Sequence, residues 1–244
     1  GVDRAHELHW RKPVYVRPEA KPVADDLDVA MVQWFATRSI PAKVLRRNKI
    51  SLQVVYMPQV EDRVKAICFP FYRGEDFVNA KYRDREKNFR MEAGAERILY
   101  GLNDIEPERC VIVEGEIDKL SMEVAGITSC VSVPDGAPAI NAKNYDSKFT
   151  FLDSAADKLE TVKEWIIAVD NDPPGTRLEE ELVRRFGQGR CKRVRWPEGC
   201  KDANDVLTKH GAAALKTCVE KAEEFPIEGV IYLSQLKKEM QLLY

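Results

Sequence analysis

The chain has 244 residues, 44% of them hydrophobic, enough for one large domain or two small ones. Its 38 basic and 40 acidic side chains nearly cancel to a net charge of -2, which excludes a globally basic nucleic-acid-binding protein and makes any polyanion site local. No apolar run approaches the ~20 residues of a membrane span, and six cysteines without a C-x-x-C pair predict reduced, mostly buried thiols rather than a zinc ribbon or a disulfide framework.

Residues 1–22 carry three prolines and no periodicity and read as a tether. The HELH at 6–9 spaces its histidines by three, where a zincin needs H-E-x-x-H on one helical face, so these are expected to be incidental histidines. The chain opens at Gly1 without a leader-like segment, and a piece of something longer is expected. From Asp25 the pattern turns helical, with Leu27, Met31, Trp34 and Phe35 on one face and acidic residues in the first turn; Pro41 opens a second helix. The period then drops to two through SLQVVYMP, VKAICFPFYR and DFVNAKYRD, the last two joined as a hairpin at Arg73–Asp76. Residues 23–105 are therefore expected to form a smaller α+β subdomain.

Past Gly94 strands alternate with helices. CVIVEGEIDKLSMEVAGI reads as strand, sharp turn and helix; CVSVPDGAP as a short strand; 151–163 as a polar helix; WIIAVDNDPPG as a third strand. TRLEEELVRRFG follows as a helix capped by Gly187, then CKRVRW as a fourth strand. The expected fold class is α/β, a mostly parallel, Rossmann-like sheet flanked by helices over 106–210. A C-terminal helix over 211–225 and a linker helix over 226–244 complete the expectation.

Three of these strands end in acid: Glu114 with Glu116 and Asp118 after the first, Asp170 and Asp172 after the third, Asp202 and Asp205 after the fourth. In open parallel sheets chemistry collects at these carboxyl ends. Residues two apart on an extended chain share a side, so Asp170 and Asp172 converge, and like charges forced together call for a shared proton or a cation. Taken alone, D-N-D-P-P-G also fits a solvated turn. Three acidic strand ends in one sheet favour a cation site, and oxygen-only ligands favour Mg²⁺ or Mn²⁺ and phosphate chemistry. Gly115, lacking a Cβ, would let backbone approach a bulky ligand, and Gly175 opens the helix opposite the acids. Pro173 and Pro174 read as a rigid exit from the strand.

These residues carry a resemblance. V-I-V-E-G-E-I-D, A-V-D-N-D and K-D-A-N-D resemble the TOPRIM module shared by primases, topoisomerases and some nucleases. KYRDREKNFRMEAG (81–94), EGEIDKLSMEVAG (114–126), SVPDGAPA (132–139) and CKDANDVL (200–207) are similar, in order and spacing, to the primase half of phage-type primase-helicases, and in wording to the organellar Twinkle proteins of plants and protists. The resemblance covers roughly residues 25–244. It implies a DNA primase that joins ribonucleoside triphosphates on single-stranded DNA by a two-metal mechanism. Glu114 matches the catalytic glutamate, as metal ligand or general base, between which the sequence does not decide. Asp170, Asp172 and Asp202 match metal-binding acids, and Asp118 the acid opening the next helix. Lys81 and Lys87, with Arg83 between them, match residues that handle the incoming nucleotide; a solvated charged hairpin is the alternative. The resemblance further implies a zinc-binding domain before residue 1, hence no zinc in this fragment, a helicase after residue 244, and a mitochondrial or plastid location.

A second basic cluster, RRFGQGRCKRVRW (184–196), reads equally as a track for single-stranded DNA or as a solvated edge-strand face. A topoisomerase would need a nucleophilic tyrosine in a further domain. A TOPRIM nuclease and a degenerate domain that only binds single-stranded DNA beside a helicase remain as alternatives.

Overall fold

The computed structural model of the chain describes residues 14–19, 27–138 and 146–226. The HELH histidines, most of the tether and all but the first residue of the 226–244 linker lie outside them. Helix α1 (Val29–Ala36) is shorter than its apolar stripe suggests, because Asp28 caps it: the carboxylate accepts from the Met31 N–H at 2.9 Å. Leu27 therefore precedes the helix, and no acid lies in its first turn. Pro41 is the N-cap of α2 (Ala42–Arg47). Four antiparallel strands follow, β1 (Ser51–Met57), β2 (Asp62–Arg73), β3 (Asp76–Arg83) and β4 (Phe89–Met91), in the order β1-β2-β3-β4. The β2–β3 hairpin turns at Gly74, whose φ of 62° suits a residue without Cβ. β4, too short to show an alternation, pairs Met91 with Lys81 and Phe89 with Arg83.

The second sheet begins with β5 (Arg109–Val113), followed by α3 (Glu116–Val124), and β6 (Cys130–Ser132). The single helix expected over 151–163 is two, α4 (Thr150–Asp153) and α5 (Ala156–Thr161). Between them the Ser154 hydroxyl donates to the Phe151 carbonyl at 3.0 Å, a local bond that competes with helix continuation. Strand β7 (Glu164–Ala168) leads into α6 (Pro173–Phe186), and β8 (Cys191–Arg193) into α7 (Ala203–Glu220). Gly187 closes α6 at φ 89°, as expected. Helix α7 kinks at Gly211 (φ 85°, ψ 172°) and ends at Glu220, so the helix expected over 211–225 is its second half. Glu223–Glu224 instead forms β9, antiparallel to β8.

Strand order is β6-β5-β7-β8-β9, parallel except for the last pair. From β5 the chain steps to β6 on one side, then crosses back to β7 on the other. The crevice between the carboxyl ends of β5 and β7 is thus a topological switch point, where such sheets bind ligands. Val111, Ile112, Val113, Trp165, Ile166 and Ile167 are all buried, and Trp165 stacks on Phe186 with centroids 4.4 Å apart.

One continuous apolar core runs through both sheets: Phe35 meets Phe69 and Phe69 meets Tyr100 edge-on, at 6.4 and 6.1 Å. A polar seam reinforces the junction. Lys119 of α3, fully buried, contacts Asp104 at 2.7 Å, Glu123 at 3.1 Å and the Asn48 amide oxygen at 2.7 Å, while Arg47 of α2 reaches the same two carboxylates. All six cysteines are free thiols, five of them buried. No helix among the described residues is long and apolar enough to cross a membrane.

Candidate active site

A cleft of about 830 Å³ lies between the two sheets. Its floor is the switch point of the parallel sheet. Glu114 follows the last residue of β5, and Gly115 is the N-cap of α3, which puts Asp118 in the first helical turn. Asp170 lies two residues past β7, and Asp202 is the N-cap of α7, accepting from the Asp205 N–H at 2.7 Å. Lys81 and Arg83 arrive from β3, and Lys87 from the β3–β4 turn, on the opposite wall. Eight of the nine residues singled out above thus line one cavity: Glu114, Gly115, Asp118, Asp170, Asp202, Lys81, Arg83 and Lys87.

The ninth, Asp172, has a different first task. It is the N-cap of α6, its Oδ1 accepting from the Gly175 N–H at 2.9 Å, and Pro173 and Pro174 are the first two helical residues rather than a rigid exit. A proline at the first helical position lacks only an N–H that would have had no partner there. Gly175 is required for the docking of α6: a Cβ there would lie 2.0 Å from the Asp170 carbonyl oxygen. Gly115 is at ordinary φ; a Cβ on it would meet the Asp118 carboxylate at 3.1 Å, so its smallness leaves room for an acid of the site.

The expected convergence of Asp170 and Asp172 is met by a residue that the sequence reading passed over. Lys201, just before Asp202, places its ammonium 2.9 Å from Asp170 and 3.0 Å from Asp172. Those two carboxylates raise the Lys201 pKa. The K-D spacing of K-D-A-N-D was the available signal, since the lysine rides on the loop that delivers Asp202. Asn204 in the same motif donates its backbone N–H to Asp118 at 3.1 Å and its side-chain amide to the Arg38 carbonyl at 3.0 Å, tying α7 to α3 and to the turn after α1.

The electrostatics are those of crowded acids. Burial, then the nearby Asp170, pushes Glu114 up to about 6. Burial followed by Asp202 raises Asp118 well above the carboxylate range, and burial raises Asp170 and Asp202. Glu114 Oε1 accepts from the Ala137 N–H at 3.1 Å, but its Oε2 is buried without a hydrogen-bond partner among the described residues. An orphaned buried oxygen among half-buried carboxylates, with oxygen as the sole donor type, fits a hard divalent cation. Glu114, Asp170 and Asp202 would hold it, with Asp172 beside Asp170 and Asp118 behind them. Among the described residues no three acidic, histidine or cysteine side chains close around a single point, and Lys201 supplies the positive charge instead.

The cationic wall is less free than a solvated hairpin. Lys81 is buried and ion-paired with Glu116 of α3, its ammonium 2.9 and 3.0 Å from the two carboxylate oxygens. Asp84, also buried, shapes the β3–β4 turn by accepting from the Asn88 backbone N–H at 2.7 Å and its side-chain amide at 2.8 Å. Lys87, at φ 69°, is exposed on that turn. The guanidiniums of Arg38 and Arg83 lie 3.5 and 4.6 Å from the Trp34 ring centre. Burial lowers both arginine pKa values, and Arg83 adds to the shift of Arg38.

The 184–196 cluster is neutralised rather than open. Lys192 pairs with Glu164 at 2.6 Å, Arg193 with Glu179, Arg195 with Glu223 at 3.2 Å, and Arg184 and Arg185 with Asp146. Arg190 donates to the Leu159 and Val162 carbonyls.

Residues 111–207 match the family model described as Toprim-like. The chain is 40% identical over 238 residues to the Twinkle homolog protein, chloroplastic/mitochondrial, of Arabidopsis thaliana, across 93% of this chain and 32% of the relative. It carries a Twinkle-like primase/TOPRIM domain. A second Arabidopsis thaliana relative, the primase homolog protein, is 39% identical over 221 residues, covering 86% of this chain and 63% of its own length. The chain thus spans about a third of the one and under two thirds of the other. In fold, the domain is similar to the primase fragment of the bacteriophage T7 primase-helicase protein (TM-score 0.64, 21% identity, 86% of this chain and 82% of that one). It is likewise similar to the RNA polymerase domain of Mycobacterium tuberculosis primase DnaG bound to double-stranded DNA (TM-score 0.61, 17% identity, 83% and 76%). The TOPRIM residues 111–207 hold Glu114, Asp118, Asp170 and Asp202, whereas Lys81, Arg83 and Lys87 come from the sheet before them and its β3–β4 turn.

Proposed function

We propose that the chain is the polymerising part of a DNA primase: it joins ribonucleoside triphosphates on a single-stranded DNA template to make a short RNA primer. The observation that carries this reading is the meeting, across one cleft, of Glu114, Asp170 and Asp202 with Lys81, Arg83 and Lys87. The acids alone would serve a nuclease; a facing cationic wall suits a substrate that brings its own triphosphate.

Divalent ions, Mg²⁺ or Mn²⁺, held by Glu114, Asp170, Asp172 and Asp202 would supply Lewis acidity to the attacking hydroxyl and charge neutralisation to the triphosphate. The remaining work falls to side chains. Glu114, raised by burial and by Asp170 in the metal-free protein, offers its buried Oε2 either as a metal ligand or as the acceptor of the hydroxyl proton. Asp118 lies beneath, its carboxyl driven towards the neutral form by burial and by Asp202. Arg83 and Lys87 stand where phosphate oxygens would enter, and Lys81 stands behind them with Glu116. Asn204 and Gly115 hold Asp118 and the β5–α3 turn in place. The name of the chloroplastic/mitochondrial relative supports an organellar setting, mitochondrion or plastid, and that of the T7 primase-helicase supports a helicase domain in the same natural chain as partner.

The test is incubation of the protein with single-stranded templates, ribonucleotides and Mg²⁺ or Mn²⁺, products being resolved by length, with Glu114→Gln and Asp170→Asn as controls. Oligoribonucleotides that vanish in both variants are expected. Shortened DNA would assign a nuclease, and retained DNA binding with no product, even after a zinc-binding domain is supplied, would assign a non-catalytic domain.

A further inference from the structure

The ammonium of Lys201 sits where Asp170 and Asp172 both point, at 2.9 and 3.0 Å from their Oδ2 atoms. Its position is built by the backbone. The Asn171 N–H donates to the Lys201 carbonyl at 2.8 Å, and the Lys201 N–H donates to Asp205 Oδ2 at 3.0 Å. Asn171 lies between the two aspartates, so the first bond ties the D-N-D turn directly to the lysine's own residue. The second ties that residue to the first turn of α7. The stem is fixed at both ends of its peptide, while the side chain is 52% exposed, against 14% and 29% for the aspartates. The head can leave towards solvent without any strand or helix moving.

Both oxygens of Asp172 are already engaged. Its Oδ1 accepts the capping bond from Gly175, and its Oδ2 faces Lys201. A metal ion that draws on both aspartates comes up against the ammonium that already faces their Oδ2 atoms, and the two cations repel each other there.

We infer that Lys201 is a tethered counter-cation, which holds the Asp170–Asp172 pair until a divalent ion displaces it and so sets the metal concentration at which the site fills. The inference rests on the reading above that these aspartates bind metal. Because the ammonium and the ion compete for one seat, the apparent metal affinity falls by the fraction of time that the seat is free of lysine. If that fraction is about a tenth, removing the ammonium tightens binding about tenfold.

The experiment titrates Mn²⁺ alone into the protein and reads the free-ion signal by electron paramagnetic resonance, with no nucleotide or DNA present. Lys201→Met and the more polar Lys201→Gln are each expected to bind Mn²⁺ about tenfold more tightly than the unmodified chain, whereas Lys201→Arg, which keeps the charge, stays close to it. Circular dichroism and thermal melting of the metal-free forms show which variants are folded; in them the two neutral variants are expected to melt earlier and to regain their melting temperature on adding Mn²⁺. Equal or weaker Mn²⁺ binding by both folded neutral variants overturns the inference and leaves the metal site standing. Absence of Mn²⁺ binding by the unmodified chain and by both folded neutral variants alike overturns the metal reading and the inference with it.

Discussion

At the scale of single residues, Glu114 pays twice for its position, losing both hydration and distance from Asp170. Its pKa is raised, so the folded state holds the proton more tightly than the unfolded chain does. Stability that the protonated group contributes at low pH is lost as pH rises from the ordinary glutamate value through about 6. At pH 7 to 8 the ionised side chain is a burden, on the order of 1 kcal/mol once the screening of a partly open cleft is allowed for. Glu114→Gln is accordingly expected to raise metal-free stability at pH 8 by about that amount, with no gain at pH 4, while abolishing catalysis. Urea melts at the two pH values check it; a variant less stable at pH 8 would show that the carboxylate is held by contacts rather than tolerated. The acids themselves were legible, because acid after an apolar run is a local pattern. Lys201 was marked only by riding beside Asp202, and neither its ion pairs nor those of Glu116 were legible, since each meets its opposite charge from a distant part of the chain: Lys201 with Asp170 and Asp172, Glu116 with Lys81.

At the scale of elements, the site depends on how helices begin. Asp172 and Asp202 are both N-caps, and α6 packs its first turn against the backbone of Asp170. Gly175→Ala would drive a methyl into the Asp170 carbonyl, so either α6 or the aspartate must shift. Overpacking of this kind costs about 1–3 kcal/mol. The expected result is a lower melting temperature together with weakened Mn²⁺ binding, measured on the same sample; unchanged metal binding would mean that α6 alone gives way. The D-P-P sequence held the signal for this cap, an acid followed by proline at the first helical position. Reading it as an exit from the strand followed from giving the apolar run to a strand that in fact stops at Ala168. β4 and β9 escaped notice for a simpler reason: three and two residues display no period.

At the scale of the molecule, two sheets share one core and one cleft, and the Lys81–Glu116 pair bridges them from within. Removing one partner of a buried pair leaves a lone charge, at about 3–5 kcal/mol, while replacing both with neutral groups costs much less. Lys81→Met and Glu116→Gln are thus each expected to destabilise strongly, and the double variant to recover most of the loss, in denaturant melts of all four forms. Additive losses would mean that the pair is not coupled across the sheets. The α/β class and its parallel sheet were plain from the alternation of strands and helices, and the antiparallel sheet from its period of two. How the two sheets face each other was not, because the Phe35–Phe69–Tyr100 contacts and the Lys119 seam join residues far apart in the chain. One small element has a consequence for how the protein behaves in concentrated solution. Glu223–Glu224 occupies the side of β8 that would otherwise offer bare peptide groups to another molecule, and it balances Arg195 there. A chain cut after residue 220 would keep every catalytic side chain yet carry a sticky, cationic border. It is expected to elute as concentration-dependent oligomers on gel filtration, so that two glutamates far from the cleft decide whether the cleft can be studied in a monodisperse sample.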